Sequence, residues 1–187
     1  MSIKRIIIML LMIVLCITPA VAGQFDCYTQ DVEVKSALSV LDKAGAHEVF
    51  RNLDQNAVKI MFYDLSQVSF SYMNHFAINS VDSFGNRFIL INTKYKNASP
   101  EEIACLIAHE SFHKSKVATL EEETLATTKE AKYWSMLKNP EKVYRQSALL
   151  SRLDNLVALD NASDVGTEYI KAKISNSNFY RNQLAIR

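Results

Sequence analysis

The chain has 187 residues, with 21 basic and 20 acidic side chains, a net charge of +1 with histidines neutral, and only three cysteines. A balance this close to neutral, with no basic cluster, argues against a nucleic-acid surface. So few cysteines exclude a disulfide scaffold.

The N-terminus reads as an export signal. Lys4 and Arg5 form a positive n-region, Ile6 to Ile17 an apolar run, Pro19 breaks it, and Ala20-Val21-Ala22 supplies an A-x-A cleavage site. The expectation is a signal peptide over 1–22 and one exported domain over 23–187, periplasmic or secreted after cleavage near Ala22-Gly23. The apolar run falls short of the roughly 20 residues of a membrane-spanning helix, though an uncleaved anchor is the alternative. No later stretch is apolar enough, so the mature form is expected to be free of the membrane. Leu15, not a small residue, precedes Cys16, which disfavours a lipoprotein signal. Without Lys4 and Arg5 the balance is 19 basic to 20 acidic. No repeat, low-complexity tract or Pro/Gly-rich linker divides the remainder, which suits a single core.

From about Val32 to Leu53 apolar residues recur at helical spacing, with a break at Gly45 that predicts two short helices. Three strand-like runs follow: Val58 to Tyr63, Ser71 to Val81, and Arg87 to Tyr95. Asp82-Ser83-Phe84-Gly85-Asn86 has the chemistry of a hairpin loop between the last two. The expected fold class is α+β, a small antiparallel sheet packed on a helical core.

A sharply punctuated helix comes next. Ser99 is a good N-cap, Pro100 fits the first helical position, and Glu102 completes a capping box. From Ile103 to Ala108 the helix is apolar on every face, as a buried central helix is. His109-Glu110-Ser111-Phe112-His113 then sets three ionisable groups into this apolar segment. Two imidazoles at i and i+4 share a helical face and can grip one Zn²⁺, and the carboxylate beside the first can take a proton from water. Without partners, burying these groups would cost several kcal/mol. The alternative is a pair of histidines hydrogen-bonded in the core or facing a groove.

Thr119 and Glu122 form a second capping-box pattern, predicting a helix antiparallel to the first across the short link Lys114–Ala118. Its first turn holds Glu121, Glu122 and Glu123, which the helix dipole alone would favour. Val143, Leu149, Leu150, Leu153, Leu156 and Val157 form an apolar stripe for a further helix, and a shorter one is expected near Val165 to Ile174. Trp134 and Phe112 are expected in the core. Cys27 and Cys105 permit one disulfide. Equally, Cys105 is a buried small hydrophobe with Cys27 free, and a third option brings Cys27 to the metal.

The extension H-E-x-x-H-x-x-G-x-x-H is absent, because Lys116 and Thr119 stand at the glycine and third histidine positions. With Glu123-Thr124-Leu125-Ala126 on the following helix, the chain resembles the gluzincin group of zinc metallopeptidases, in which an E-x-x-A glutamate completes the site. The resemblance covers about residues 87–135. It implies a zincin-like domain with additional C-terminal helices. His109, His113 and Glu123 are its implied Zn²⁺ ligands, with Glu122 an alternative, and Glu110 its general base. Arg87–Asn92 is implied as the edge strand that pairs with an extended peptide substrate. The position four residues after Glu123, where some families place an orienting aspartate, is Thr127. Glu130 is either a carboxylate that steadies an imidazole or a solvated salt-bridge partner. Tyr133, Tyr95, His75 and Arg145 are candidates to stabilise the oxyanion. The function so implied is peptide-bond hydrolysis by an exported zinc enzyme. The alternative is a non-catalytic exported domain that keeps the architecture to bind metal or a partner.

Overall fold

The computed structural model describes residues 23–115, 117–161 and 166–177, so the expected signal peptide lies outside the described residues. Two helices open the domain, α1 (Val32–Lys43) and α2 (His47–Gln55). They part where expected. Gly45, at φ +69°, occupies the left-handed position of a Schellman turn, with Gly45 N–H donating to Asp42 and Ala46 N–H to Leu41. Val34, Ala37, Leu38 and Leu41 bury one face of α1.

The sheet has three strands, β1 (Lys59–Tyr63), β2 (Ala77–Val81) and β3 (Arg87–Asn92), in the order β1-β3-β2. It is mixed rather than antiparallel. β2 and β3 pair antiparallel through the Asp82–Asn86 hairpin, whereas β1 and β3 run parallel. The cause is the connection from β1. Ser69 caps a 3-10 turn, Phe70–Tyr72, that overlaps the start of the strand expected over Ser71 to Val81. The segment 64–76 thereby carries the chain past the central slot to the far edge, and β3 then returns alongside β1. Arg87–Asn92 is therefore the central strand and not the expected edge, and β1 and β2 are the two edges.

Helix α3 (Pro100–Ser111) has the predicted start, with both bonds of the Ser99/Glu102 capping box formed. Every residue from Glu102 to Ser111 is buried. The helix packs against α1, α2, the sheet, α4 (Leu120–Leu137) and α5 (Ala148–Asp160), most broadly against α4. Ala126, fully buried, lets α4 come close. Helix α6 (Gly166–Asn176) packs on α4 and α5. Trp134 of α4 is fully buried, and its indole N–H donates to Asp154 of α5 at 2.7 Å. Phe112 is buried as expected, and Leu149, Leu150, Leu153 and Leu156 line the inner face of α5. Val143 does not join that stripe. It is 95% exposed in the extended segment before Ser147, the residue that caps α5. Among the described residues no helix is long and apolar enough to cross a membrane.

Cys27 and Cys105 are both free, so the disulfide does not form, and Cys27 is not part of the candidate metal cluster. Cys105 is enclosed in the interior of α3 while Cys27 is exposed on the N-terminal turn, where its carbonyl accepts from Lys59. A thiol reagent is expected to label Cys27 in the native protein and Cys105 only after denaturation, without change in melting temperature on adding reductant. Peptide mapping of the labelled protein checks this, and native protection of Cys27 would contradict it.

Candidate metal centre

The regular α3 helix ends at Ser111, so it contains His109 and Glu110 but not His113. The last turn tightens, with Phe112 N–H donating to His109 and His113 N–H to Glu110 at 3.1 and 3.3 Å. Around this turn the backbone is gripped by side chains. Asn79 of β2 donates to the carbonyls of Glu110 (3.0 Å) and His113 (3.4 Å), and Arg87 of β3 donates to those of His113 (3.5 Å) and Lys114. Glu122 of α4 accepts from the amides of Lys114 and Ser115. The predicted cap at Thr119 forms, but Glu122 does not return the reciprocal bond and is spent on this turn instead. Glu122 is thus not among the converging ligand atoms.

Three side chains converge. Nε2 of His109 and Nε2 of His113 are 3.2 Å apart. Glu123 brings one carboxylate oxygen to 3.7 Å from the first and the other to 3.5 Å from the second. Among the described residues this is the one cluster of histidine, cysteine and acid side chains close enough to share an ion. A tetrahedral ion with bonds of about 2.0–2.1 Å holds its ligand atoms about 3.3–3.4 Å apart; the two nitrogens lie close to that spacing, and the carboxylate, each oxygen nearest a different imidazole, lies slightly beyond it. A proton held between the two imidazoles would satisfy the nitrogens. It would still leave Glu123 Oε2 buried without a hydrogen-bond partner, which costs more than a solvated carboxylate. A divalent cation satisfies all three. Two imidazoles and one carboxylate are a donor set that could hold a metal ion.

Behind the cluster lies a chain of buried charge. Glu130, two turns beyond Glu123 on α4 and wholly enclosed, places Oε2 3.0 Å from Nδ1 of His109, off the ideal N–H axis. Its two oxygens receive a bidentate grip from Arg152 of α5, at 3.0 and 2.6 Å. The solvated salt-bridge reading of Glu130 is therefore wrong. Thr127, four residues after Glu123, has a buried hydroxyl without a hydrogen-bond partner among the described residues. Burial opposes the charge on Glu130, but Arg152 and then His109 outweigh it and hold its carboxyl at about 2. Burial likewise works against charge on His109, yet Glu130 pushes it up to about 9. Burial and the charge of His109 hold His113 down to about 3. Glu110 is pushed up to about 7 by burial first, His109 opposing and Glu123 and Glu130 adding to the rise. Burial also raises Glu123.

These groups face a cleft of about 1120 Å³ bordered by β2 and helices α3 to α6. Of the four oxyanion candidates only His75 lines it, set edge-on to Tyr72 at 4.9 Å. Tyr133 is buried elsewhere on α4, Tyr95 packs on Phe76, and Arg145 is exposed in the segment before α5. Arg152 and Asn79 carry no signal in the sequence. Glu130 does, through its seven-residue offset from Glu123 on one helical face. No protein-family model, curated protein or solved structure matches the chain.

In the metal-free protein Glu130 binds fewer protons folded than unfolded between its ordinary 4.5 and about 2, so acid favours unfolding through that window. Glu130→Gln breaks a buried pair from one side and is expected to destabilise by about 3 kcal/mol at pH 7. The deficit should shrink as pH falls from 4.5 toward 2. Urea titrations at stepped pH measure it, and a deficit constant across the window would show that Glu130 is not a buried anion.

Proposed function

We propose that this chain is a zinc-dependent peptidase of gluzincin type, working in exported form. The observation that carries the reading is the convergence of His109, His113 and Glu123 at spacings of 3.2 to 3.7 Å, open to a cleft that also receives Glu110. Those three residues would hold the ion. When bound, zinc supplies Lewis acidity toward the scissile carbonyl and toward water.

The chain's own residues account for the remaining steps. Glu110 takes a proton from the attacking water as its oxygen bonds to the carbonyl carbon, and gives that proton to the amine nitrogen as the C–N bond breaks. An ionisation near 7, set by burial, suits a group that must both accept and release a proton at neutral pH. Glu130, fixed by Arg152, favours the His109 tautomer with hydrogen on Nδ1, which leaves the Nε2 lone pair for the ion. β2, antiparallel and at the edge of the sheet beside the cleft, is the strand along which an extended substrate backbone would pair. His75 is the group best placed to meet the developing oxyanion. The mixed sheet with a buried motif helix supports a zincin-like fold, and the export reading rests on the composition of residues 1–22.

Purified without chelator, the protein is expected to contain one zinc per chain by elemental analysis. His113→Ala and Glu123→Ala should lose the metal. Glu110→Gln should keep it and lose peptide cleavage by about 10²–10⁴-fold. Zinc retained with no cleavage by wild type of a broad peptide library would leave a metal-binding domain without catalysis, and no zinc at all would remove the metal reading.

A further inference from the structure

In an H-E-x-x-H helix, the second imidazole ordinarily inherits its position from the helix, because the i to i+4 spacing points both rings to one side. Here the regular helix stops at Ser111, two residues before His113. The rings are also held unequally. Nδ1 of His109 has the Glu130 carboxylate 3.0 Å away, although poorly aligned for a hydrogen bond, whereas Nδ1 of His113 is buried with neither an ion-pair nor a hydrogen-bond partner among the described residues. Among the described residues no hydrogen bond to the far side of the His113 ring fixes its direction. Its place must come from the backbone of the turn that carries it.

That turn is held from two sides. The last carbonyls of a helix lack intrahelical partners and need donors from elsewhere. The sheet provides them. Asn79 spans the carbonyls of Glu110 and His113, Arg87 spans those of His113 and Lys114, and Arg87 also donates to Oδ1 of Asn79 at 3.2 Å, tying the two donors together. A cation is well placed at this end of the helix, where the dipole is negative. From the opposite side, the Glu122 carboxylate takes the Lys114 and Ser115 amides.

We infer that Asn79 and Arg87 are positioning residues for the metal centre, acting on His113 through its backbone, with Glu122 as the opposing jaw. The inference rests on the zinc reading above and extends it to two strands that touch no ligand atom. It also gives β2, whose outer edge borders the cleft, a second task, since that strand would hold a ligand in register.

The test uses the purified chain and measures zinc affinity by competition with a chromophoric chelator, together with the visible spectrum of the cobalt-substituted protein. Asn79→Asp keeps the side chain's shape but loses its donor, and Arg87→Met loses the cationic fork. Both are expected to weaken zinc binding about 10–100-fold, the range for groups that orient ligands, and to shift the cobalt bands. Arg87→Lys keeps charge and stem, guards against outright misfolding, and should show a smaller loss because one ammonium cannot span two carbonyls and Asn79. Asn92→Ala serves as the structural control. It removes similar bonds, to the Met73 and His75 carbonyls at 3.1 and 3.0 Å, away from this turn. It should leave affinity and spectrum unchanged even if it melts earlier. Wild-type affinity and spectrum in the Asn79 and Arg87 variants overturn the inference, as does an equal loss in Asn92→Ala. A wild-type chain that binds no zinc overturns the metal reading and this inference together.

Discussion

A rod enclosed on all sides can carry charge only where a partner meets each charged group, and that requirement organises this molecule. Helix α3 is buried from Glu102 to Ser111, and its C-terminal end puts His109 and Glu110 into the interior with His113 just beyond. The partners arrive from neighbouring helices. Glu123 and Glu130 come from α4, and Arg152 comes from α5 to neutralise Glu130. The α4–α5 contact therefore does more than cover apolar surface. The bond from Trp134 to Asp154 ties the two helices within a turn of Arg152, so the same packing that seals the core also delivers the cation.

The two histidines are steadied by different means. One is oriented through its ring, by a carboxylate at Nδ1, and the other through its main chain. Helix continuity normally makes the second device unnecessary. With the helix ended early, side chains on β2 and β3 replace the hydrogen bonds that a further turn would have made. The sheet becomes part of the site without contributing a ligand.

Much of this was legible in the residues themselves because it is local. The Ser99-Pro100-Glu102 start, the Gly45 break, the Asp82–Asn86 hairpin and the shared helical side of His109 and His113 each depend on a few neighbouring positions, and periodicity or capping chemistry reports them directly, whereas Glu123 entered only through the family resemblance, with Glu122 beside it. What was not legible is set by distant contacts. Whether β1 runs parallel or antiparallel to β3 depends on where the 64–76 segment delivers the chain, which no alternation pattern encodes. Arg152 is a lone arginine on an amphipathic helix until α5 docks. Val143 looked like part of an apolar stripe because its spacing was right, but the helix begins at Ala148, and spacing before a cap means nothing. The C-terminal limit of α3 escaped notice for a similar reason: the donors that allow an early stop lie on strands some 30 residues upstream.

Glu123 and Glu130 come from one uninterrupted helix, seven residues and two turns apart, and both must face α3. Each residue added to or removed from a helix swings everything beyond it by about 100°. The intervening stretch 124–129 is thus a ruler of fixed length. Substitutions along its outer side are tolerable, whereas a single insertion or deletion would turn either Glu123 or Glu130 away from the histidines. The exposed residues 139–143 lie between α4 and α5, outside both helices, and a change of length there would not rotate Glu123 relative to Glu130.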